Sequence, residues 1–351
     1  EDGIRDKQIC LVGSEMCIRD SAMTEWLLPA AIALLPVLCF LGALVWLDSY
    51  KLVRPGLVLL TIAAGAAAAG ASYFINAVLI DATGLALSAY SRYVAPLTEE
   101  ALKALIIIWL IRAGRVGFLV DAAIFGFAVG AGFALVENLY FMTRLSAPQV
   151  GVWIVRGFGT AIMHGGATAI FGMVLRALVQ GRYGTRVSAV ALGFLLAAVV
   201  HSAFNHLLFA PVLAMVATLL LLPPLLVAVF HREEKAVEEW LSIDFDADTE
   251  LLELINSGQL SASPVGQYLQ RLRERFKGEV VADLLCYLRL HVELALQAKG
   301  LMLMRESGFD PPPDPHLRPK FEELEYLEGS IGKTGQLAMK PFLQVSRKDM
   351  W

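Results

Sequence analysis

Residues 118–142 read FLVDAAIFGFAVGAGFALVENLYFM, an apolar run interrupted near its end by Glu137 and Asn138. A helix needs roughly 20 apolar residues to cover about 30 Å of hydrocarbon, and this stretch is long enough. A charged side chain inside such a helix costs about 3 kcal/mol on insertion scales, so Glu137 requires polar partners from other helices. Gly126, Gly130 and the nearby Gly132 supply a face of small residues on which those helices can approach closely.

Working outward, six further segments have the same character: 26–47, 56–80, 96–111, 157–179, 187–209 and 211–230. The segment 96–111 is short and carries Glu99, Glu100 and Lys103, so hydropathy alone understates it. In the last segment, Pro223-Pro224 is expected to kink or locally break the helix, because proline lacks the N–H that an interior turn uses. The stretch 81–94, with several Ser and Tyr, reads as an interfacial helix or loop. The expected fold is all-α, a polytopic membrane helix bundle of about seven transmembrane helices with a C-terminal cytoplasmic helical appendage.

Composition points the same way. The chain is 57% hydrophobic and only 18% charged, against about 25% charged in ordinary soluble domains, so the bilayer is its solvent. A net charge of −4 with no basic stripe excludes nucleic acid as a partner, since phosphates must be neutralised by Lys and Arg. Cys39 lies in an apolar span and Cys286 in the polar tail, and no CxxC or Cys/His zinc spacing occurs.

Three regions are expected. Residues 1–22 have neither the basic-then-apolar order of a signal peptide nor helical periodicity, and they resemble translated sequencing-adaptor read-through. The natural chain is expected to begin at Met23, which leaves Cys10 and Cys17 without functional weight. Residues 23–230 form the membrane domain. Residues 231–351 form a charged tail with apolar residues at helical spacing around 280–304, then a Pro-rich break at 310–315 and an irregular end. Gly332-Lys333-Thr334 lacks the glycine that a phosphate loop needs at position 327, which is Leu327.

Basic residues set the expected orientation. Lys51 and Arg54, Arg112 and Arg115, Arg182 and Arg186, and Arg232 and Lys235 fall in alternate connections, which the positive-inside rule places in the cytoplasm. The N-terminus is then outside and the C-terminus inside, in a bacterial inner membrane. At about 1.5 Å per residue, Glu99 lies about 5 Å, Glu137 about 8 Å, His164 about 10 Å and His201 about 12 Å below the outer ends of their spans. Four helices thus bring polar groups to one level. Asp121, by contrast, begins its span at the cytoplasmic surface.

The residue types at that level suit hydrolysis. Lys103 is four residues from Glu99 and three from Glu100, so it can hold one carboxylate while the other acts as general base on water. His201 and Asn205 share a helix face and can bind a substrate carbonyl, or the imidazole can bind metal; His206 points away. A proton-coupled transporter also uses intramembrane carboxylates and histidines, and a non-catalytic scaffold for the tail is a third reading. A transporter would carry ionisable groups through the full depth, and the inner half of the spans has none.

Glu99-Glu100-x-x-Lys103, Phe133-x-x-x-Glu137-Asn138 with Tyr140, and His201-x-x-x-Asn205 together resemble the signature of PrsW intramembrane proteases, relatives of the CAAX prenyl endopeptidase and bacteriocin-processing superfamily. In that wider superfamily the first motif continues with arginine where this chain has Ala104, and the second ends in histidine where it has Glu137. The resemblance, over about 23–230, implies a protease that cleaves a membrane-anchored protein, an anti-sigma factor in the founding branch. It implies Glu99 and Glu100 as the water-activating pair, Asn205 as a carbonyl-binding group, and Glu137 and His201 as metal ligands or partners in water activation. His164 joins the candidate ligands by its depth. The expected ion, where one is used, is zinc; a metal-free glutamate mechanism is the alternative.

Overall fold

The computed structural model describes residues 27–50, 52–145, 149–179, 187–206, 210–309, 311–312 and 314–343. The expected leader, Trp26, Lys51, Ser146, Arg182, Arg186 and the end of the 187–209 span lie outside these residues. The described chain is helical, without strands, and divides into two compact units: residues 1–48 with 52–230, and residues 49–51 with 231–351.

In the first unit the helices are α1 (Leu27–Trp46), α2 (Pro55–Thr83), α3 (Leu87–Tyr93), α4 (Ala95–Arg112), α5 (Leu119–Arg144), α6 (Val150–Leu178), α7 (Val187–His206) and the start of α8 (Pro211–Asn256). Six of these are long and apolar enough to cross a membrane: α1, α2, α5, α6, α7 and the first part of α8. The seventh expected span is α4, whose 18 residues reach about 27 Å but include Glu99, Glu100, Lys103 and Arg112. It is a helix packed among α2, α5, α6 and α7, so Glu100 and Lys103 are buried and Glu99 is partly buried inside the bundle, while Arg112 at its end is exposed. The protein is a multi-pass membrane protein.

Helix α5 is the centre of this unit, buried on most sides between α2 and α6. Its glycines explain how. A Cβ at Gly130 would lie 2.2 Å from the His164 carbonyl oxygen, and one at Gly126 would lie 2.7 Å from Ala169 Cα. Backbone therefore meets backbone between α5 and α6, which the small-residue face allows and any larger residue forbids. At Gly132 the same close approach is made to Ile62 of α2. At the opposite end of α5, Asp121 accepts hydrogen bonds from the Gly117 and Phe118 amides at 2.8 and 3.0 Å, two donors that the first turn leaves without helical partners.

The expected local break is absent from one helix, and the start of another is corrected. Helix α8 runs through Pro223 and Pro224 without interruption, although each removes one main-chain donor; membrane helices tolerate this where the freed carbonyls are re-satisfied. Helix α6 begins earlier than position 157 and includes a π-helical stretch, Val155–Thr160, before it continues as an α-helix.

The second unit contains the later part of α8, a 3-10 turn (Gln259–Ala262), α9 (Pro264–Leu272), α10 (Gly278–Glu306) and α11 (Leu317–Met339). Leu284 and Leu288 of α10 pack with Leu327 and Ile331 of α11. The end expected to be irregular is thus helical, kinked at Gly332 (φ 61°), because Leu317, Leu324, Leu327 and Ile331 recur at the spacing of one helix face. The buried Lys299 ammonium lies 3.0 Å from Asp248.

Candidate active site

Helix α4 presents Glu99 and Glu100 on neighbouring faces, and the bundle treats them differently. Glu100 is 2% exposed and fully engaged. Its Oε1 accepts from Lys103 Nζ at 2.7 Å and from His201 Nδ1 at 2.8 Å, and Thr168 Oγ1 lies 3.5 Å from its Oε2. Glu99 retains 16% side-chain exposure and lines a cavity of about 510 Å³. Its Oε1 accepts from Asn76 Nδ2 at 3.3 Å, while its Oε2 faces His201 Nε2 at 3.8 Å, beyond hydrogen-bond distance.

The hydrogen bonds run in a determinate direction. Lys103 Nζ also donates to His164 Nδ1 at 2.8 Å, which leaves the His164 proton on Nε2, donated to Glu137 Oε2 at 2.9 Å. His201 Nδ1–H donates to Glu100, so its Nε2 carries a lone pair aimed toward Glu99. Tautomers here follow from the network of partners. The two imidazole rings meet edge to face, 4.7 Å between centroids, and the Lys103 ammonium sits 4.0 Å over the Phe133 ring. Glu137 is held in turn by Arg156, Nη2 to Oε1 at 3.3 Å.

Of the residues expected from sequence, Glu99, Glu100, Glu137, His164 and His201 come together around Lys103. Asn205 does not join them: its amide donates to the Ser91 carbonyl at 2.8 Å, and Ser202 one turn earlier donates to the Arg92 carbonyl, so this face of α7 holds α3 in place. His206 Nδ1 donates to the Ser202 carbonyl and its ring packs on Tyr93.

Three residues escaped the sequence reading. Arg156 stands just ahead of the expected 157–179 span, outside every motif. The π-helical stretch carries it inward, where its Nε donates to Asn138 Oδ1 at 2.9 Å and its guanidinium lies 3.8 Å from the Phe141 ring. Asn76 receives the Tyr90 and Thr98 hydroxyls on its carbonyl oxygen, which turns its amide nitrogen to Glu99. A carboxamide alone in an apolar helix was the available signal. Thr168, one turn after His164, completes the shell around Glu100.

The family model described as PrsW family intramembrane metalloprotease matches residues 54–229, half of the chain and all of the residues just described. The chain belongs to the PrsW family. It is an intramembrane protease, a peptide hydrolase whose substrate is a protein in the membrane. No curated protein and no solved structure matches it.

A metalloprotease family implies a metal, and the donors of this PrsW protease can be tested for it. Glu99, His164 and His201 each offer one ligand atom, and the three atoms lie within 4.8 Å of one another. Two imidazoles and a carboxylate from three helices are a zinc-type donor set with room for a water. Glu137 is outside this trio. Behind the two histidines stand Glu137 and Glu100, each holding the other ring nitrogen as carboxylates commonly do for metal-bound imidazoles. One neighbour competes: both His164 nitrogens are engaged, so an ion must draw His164 away from Lys103 or Glu137. A charge-assisted hydrogen bond contributes ~1.5–3 kcal/mol and structural zinc on the order of 10 kcal/mol, so the donor set fits.

Proposed function

We propose that this protease hydrolyses a peptide bond of a membrane-anchored protein with Glu99 as the general base. The observation that carries this is the asymmetry of the pair. Glu100 is locked by Lys103 and His201, whereas Glu99, unlike Glu100, borders the cavity, and it faces His201 Nε2. A water between Glu99 and His201 Nε2 meets two acceptors, so both of its protons are held and its oxygen lone pair is free to attack a carbonyl carbon. Glu99 takes one proton as the new C–O bond forms and returns it to the departing amine as the C–N bond breaks. Glu100 and Glu137 fix the two imidazoles, Lys103 bridges Glu100 to His164, and Asn76 steers Glu99. Asn205 acts here as a positioning residue for α3. Where zinc is bound, Glu99, His164 and His201 would instead be its ligands, and the acidified water would not need Glu99 as its base.

In cells, a Glu99→Gln strain should accumulate uncleaved membrane precursors, an anti-sigma factor among the candidates, relative to wild type in quantitative membrane proteomics. Identical membrane proteomes would count against the reading.

Purified wild-type protein should carry about one zinc per molecule, and a His201→Ala variant much less. Full activity in metal-free protein, unaffected by strong chelators, would leave the glutamate-and-water account alone.

The alternating basic loops support an outside N-terminus and a cytoplasmic tail in a bacterial inner membrane. In a cysteine-free background, cysteines at Ser146 and Ser188 should react with an impermeant maleimide from opposite sides, Ser146 from outside. Reaction of both from one side overturns this orientation.

A further inference from the structure

The cavity that Glu99 borders lies between α2 and α5, and the sequence explains why it exists. The two helices touch where Gly65 meets Val129 and Gly132 meets Ile62; a Cβ at either glycine would fall 2.0 Å from the facing carbonyl oxygen. Beyond that contact, α2 lines the cavity with the small residues Ala69, Gly70, Ser72 and Ala77, flanked by Tyr73, Phe74, Asn76 and Ile80. Facing them on α5 are Phe133, Val136, Glu137 and Tyr140, one stripe at helical spacing. The result is a space of about 510 Å³ with apolar walls and Glu99 and Glu137 in its lining, within the ~300–1,000 Å³ typical of ligand sites. None of the described residues that line it is cationic. Tyr73, Phe74 and Tyr140 line it and are also 47%, 71% and 38% exposed, so it reaches the surface that a membrane protein turns toward lipid.

We propose that this cavity receives a bulky apolar side chain of the substrate, such as Leu or Phe, adjacent to the scissile bond, and that Gly70 and Tyr140 set the size limit. The inference rests on the hydrolytic reading above. Continuity with Glu99 places an occupant's backbone at the base, and the apolar walls reject a charged side chain. The exposed aromatic rim admits a segment arriving from the bilayer.

Gly70 gives the test. A Cβ there meets nothing within 4 Å and its φ lies outside the left-handed region, so Gly70→Trp adds bulk at the cavity wall without a backbone clash at Cβ and replaces a poor helix former. Purified full-length protein would be reconstituted in phosphatidylcholine and phosphatidylglycerol vesicles with synthetic single-span peptides. These differ at one outer-leaflet position: Ala, Leu, Phe, Asp or Lys. Mass spectrometry reads the cleavage. Wild type should favour Leu and Phe over Ala by roughly 10-fold or more in kcat/KM. Gly70→Trp should lower kcat/KM for the Leu and Phe peptides at least about 10-fold more than for the Ala peptide, so that the preference is lost. An unchanged preference in Gly70→Trp, or a wild-type preference for Asp or Lys, overturns the proposal. A second arm is independent of turnover. p-Benzoylphenylalanine at the variable position should photo-crosslink to Tyr73, Phe74 or Tyr140 in Glu99→Gln, and additional Gly70→Trp should abolish the adducts. Adducts that form while wild type cleaves no peptide would sink the hydrolytic reading and keep the pocket. Adducts elsewhere, or photoreactive acyl chains that peptide cannot displace from these residues, would remove the pocket.

Discussion

Glu99→Gln should lower kcat for a cleaved membrane peptide by about 100- to 10,000-fold, the range that a positioned general base contributes, with KM little changed. Glutamine keeps the side chain's size and can still accept the Asn76 amide, but its carboxamide cannot take a proton from water. Because the ion pair that Glu99 can form among the described residues is with a protonated His201 at 3.8 Å, the fold should survive unchanged. Glu100→Gln provides the contrast. It should also be inactive, and less stable, because it withdraws the anion that Lys103 and His201 share at 2.7 and 2.8 Å. The paired measurement is turnover together with the apparent melting temperature in detergent. Turnover by Glu99→Gln within 10-fold of wild type would falsify the assignment of the base.

Lys103→Met should be strongly destabilising. The ammonium is 0% exposed, donates to Glu100 and His164, and lies over Phe133. Methionine approximates its length but leaves Glu100 buried without its cation, and breaking one side of a buried ion pair costs ~3–5 kcal/mol. Proteolysis should be lost as well, since His164 loses its Nδ1 donor and is free to turn. A second replacement separates the two effects. Lys103→Met with Glu100→Gln removes both charges, so stability should recover substantially while activity does not. If the double variant were as unstable as the single one, the cost would lie in packing and the buried-pair account would fail.

Much of this was legible in the chain because it follows from local rules. Apolar length announced the spans, and the price of a charge in hydrocarbon announced that Glu99, Glu100, Lys103, Glu137, His164 and His201 must meet. The similar depth of these residues in their spans is simple helix geometry, and they do come together. The tail was read less well: its last helix was missed behind the Pro-rich break, although the spacing of Leu324, Leu327 and Ile331 was available.

What the sequence by itself determined is therefore the set: a membrane helix bundle, the polar residues forced into a common pocket, and membership of a protease family. Only the tertiary structure decided the assignments within the set. Spacing lets Lys103 reach either carboxylate; the rotation of α4 against α6 and α7 gives it Glu100 and leaves Glu99 to the cavity. His201 and Asn205 share a helix face in the sequence, yet α3 claims Asn205 through a main-chain carbonyl that no motif records. Arg156 enters through a π-helical stretch, and Asn76 joins from a helix that carries no motif. Partner choice depends on helix rotation and packing between distant segments, and those are set by the fit of whole surfaces, such as backbone against backbone at Gly130, rather than by the spacing of residues along one helix.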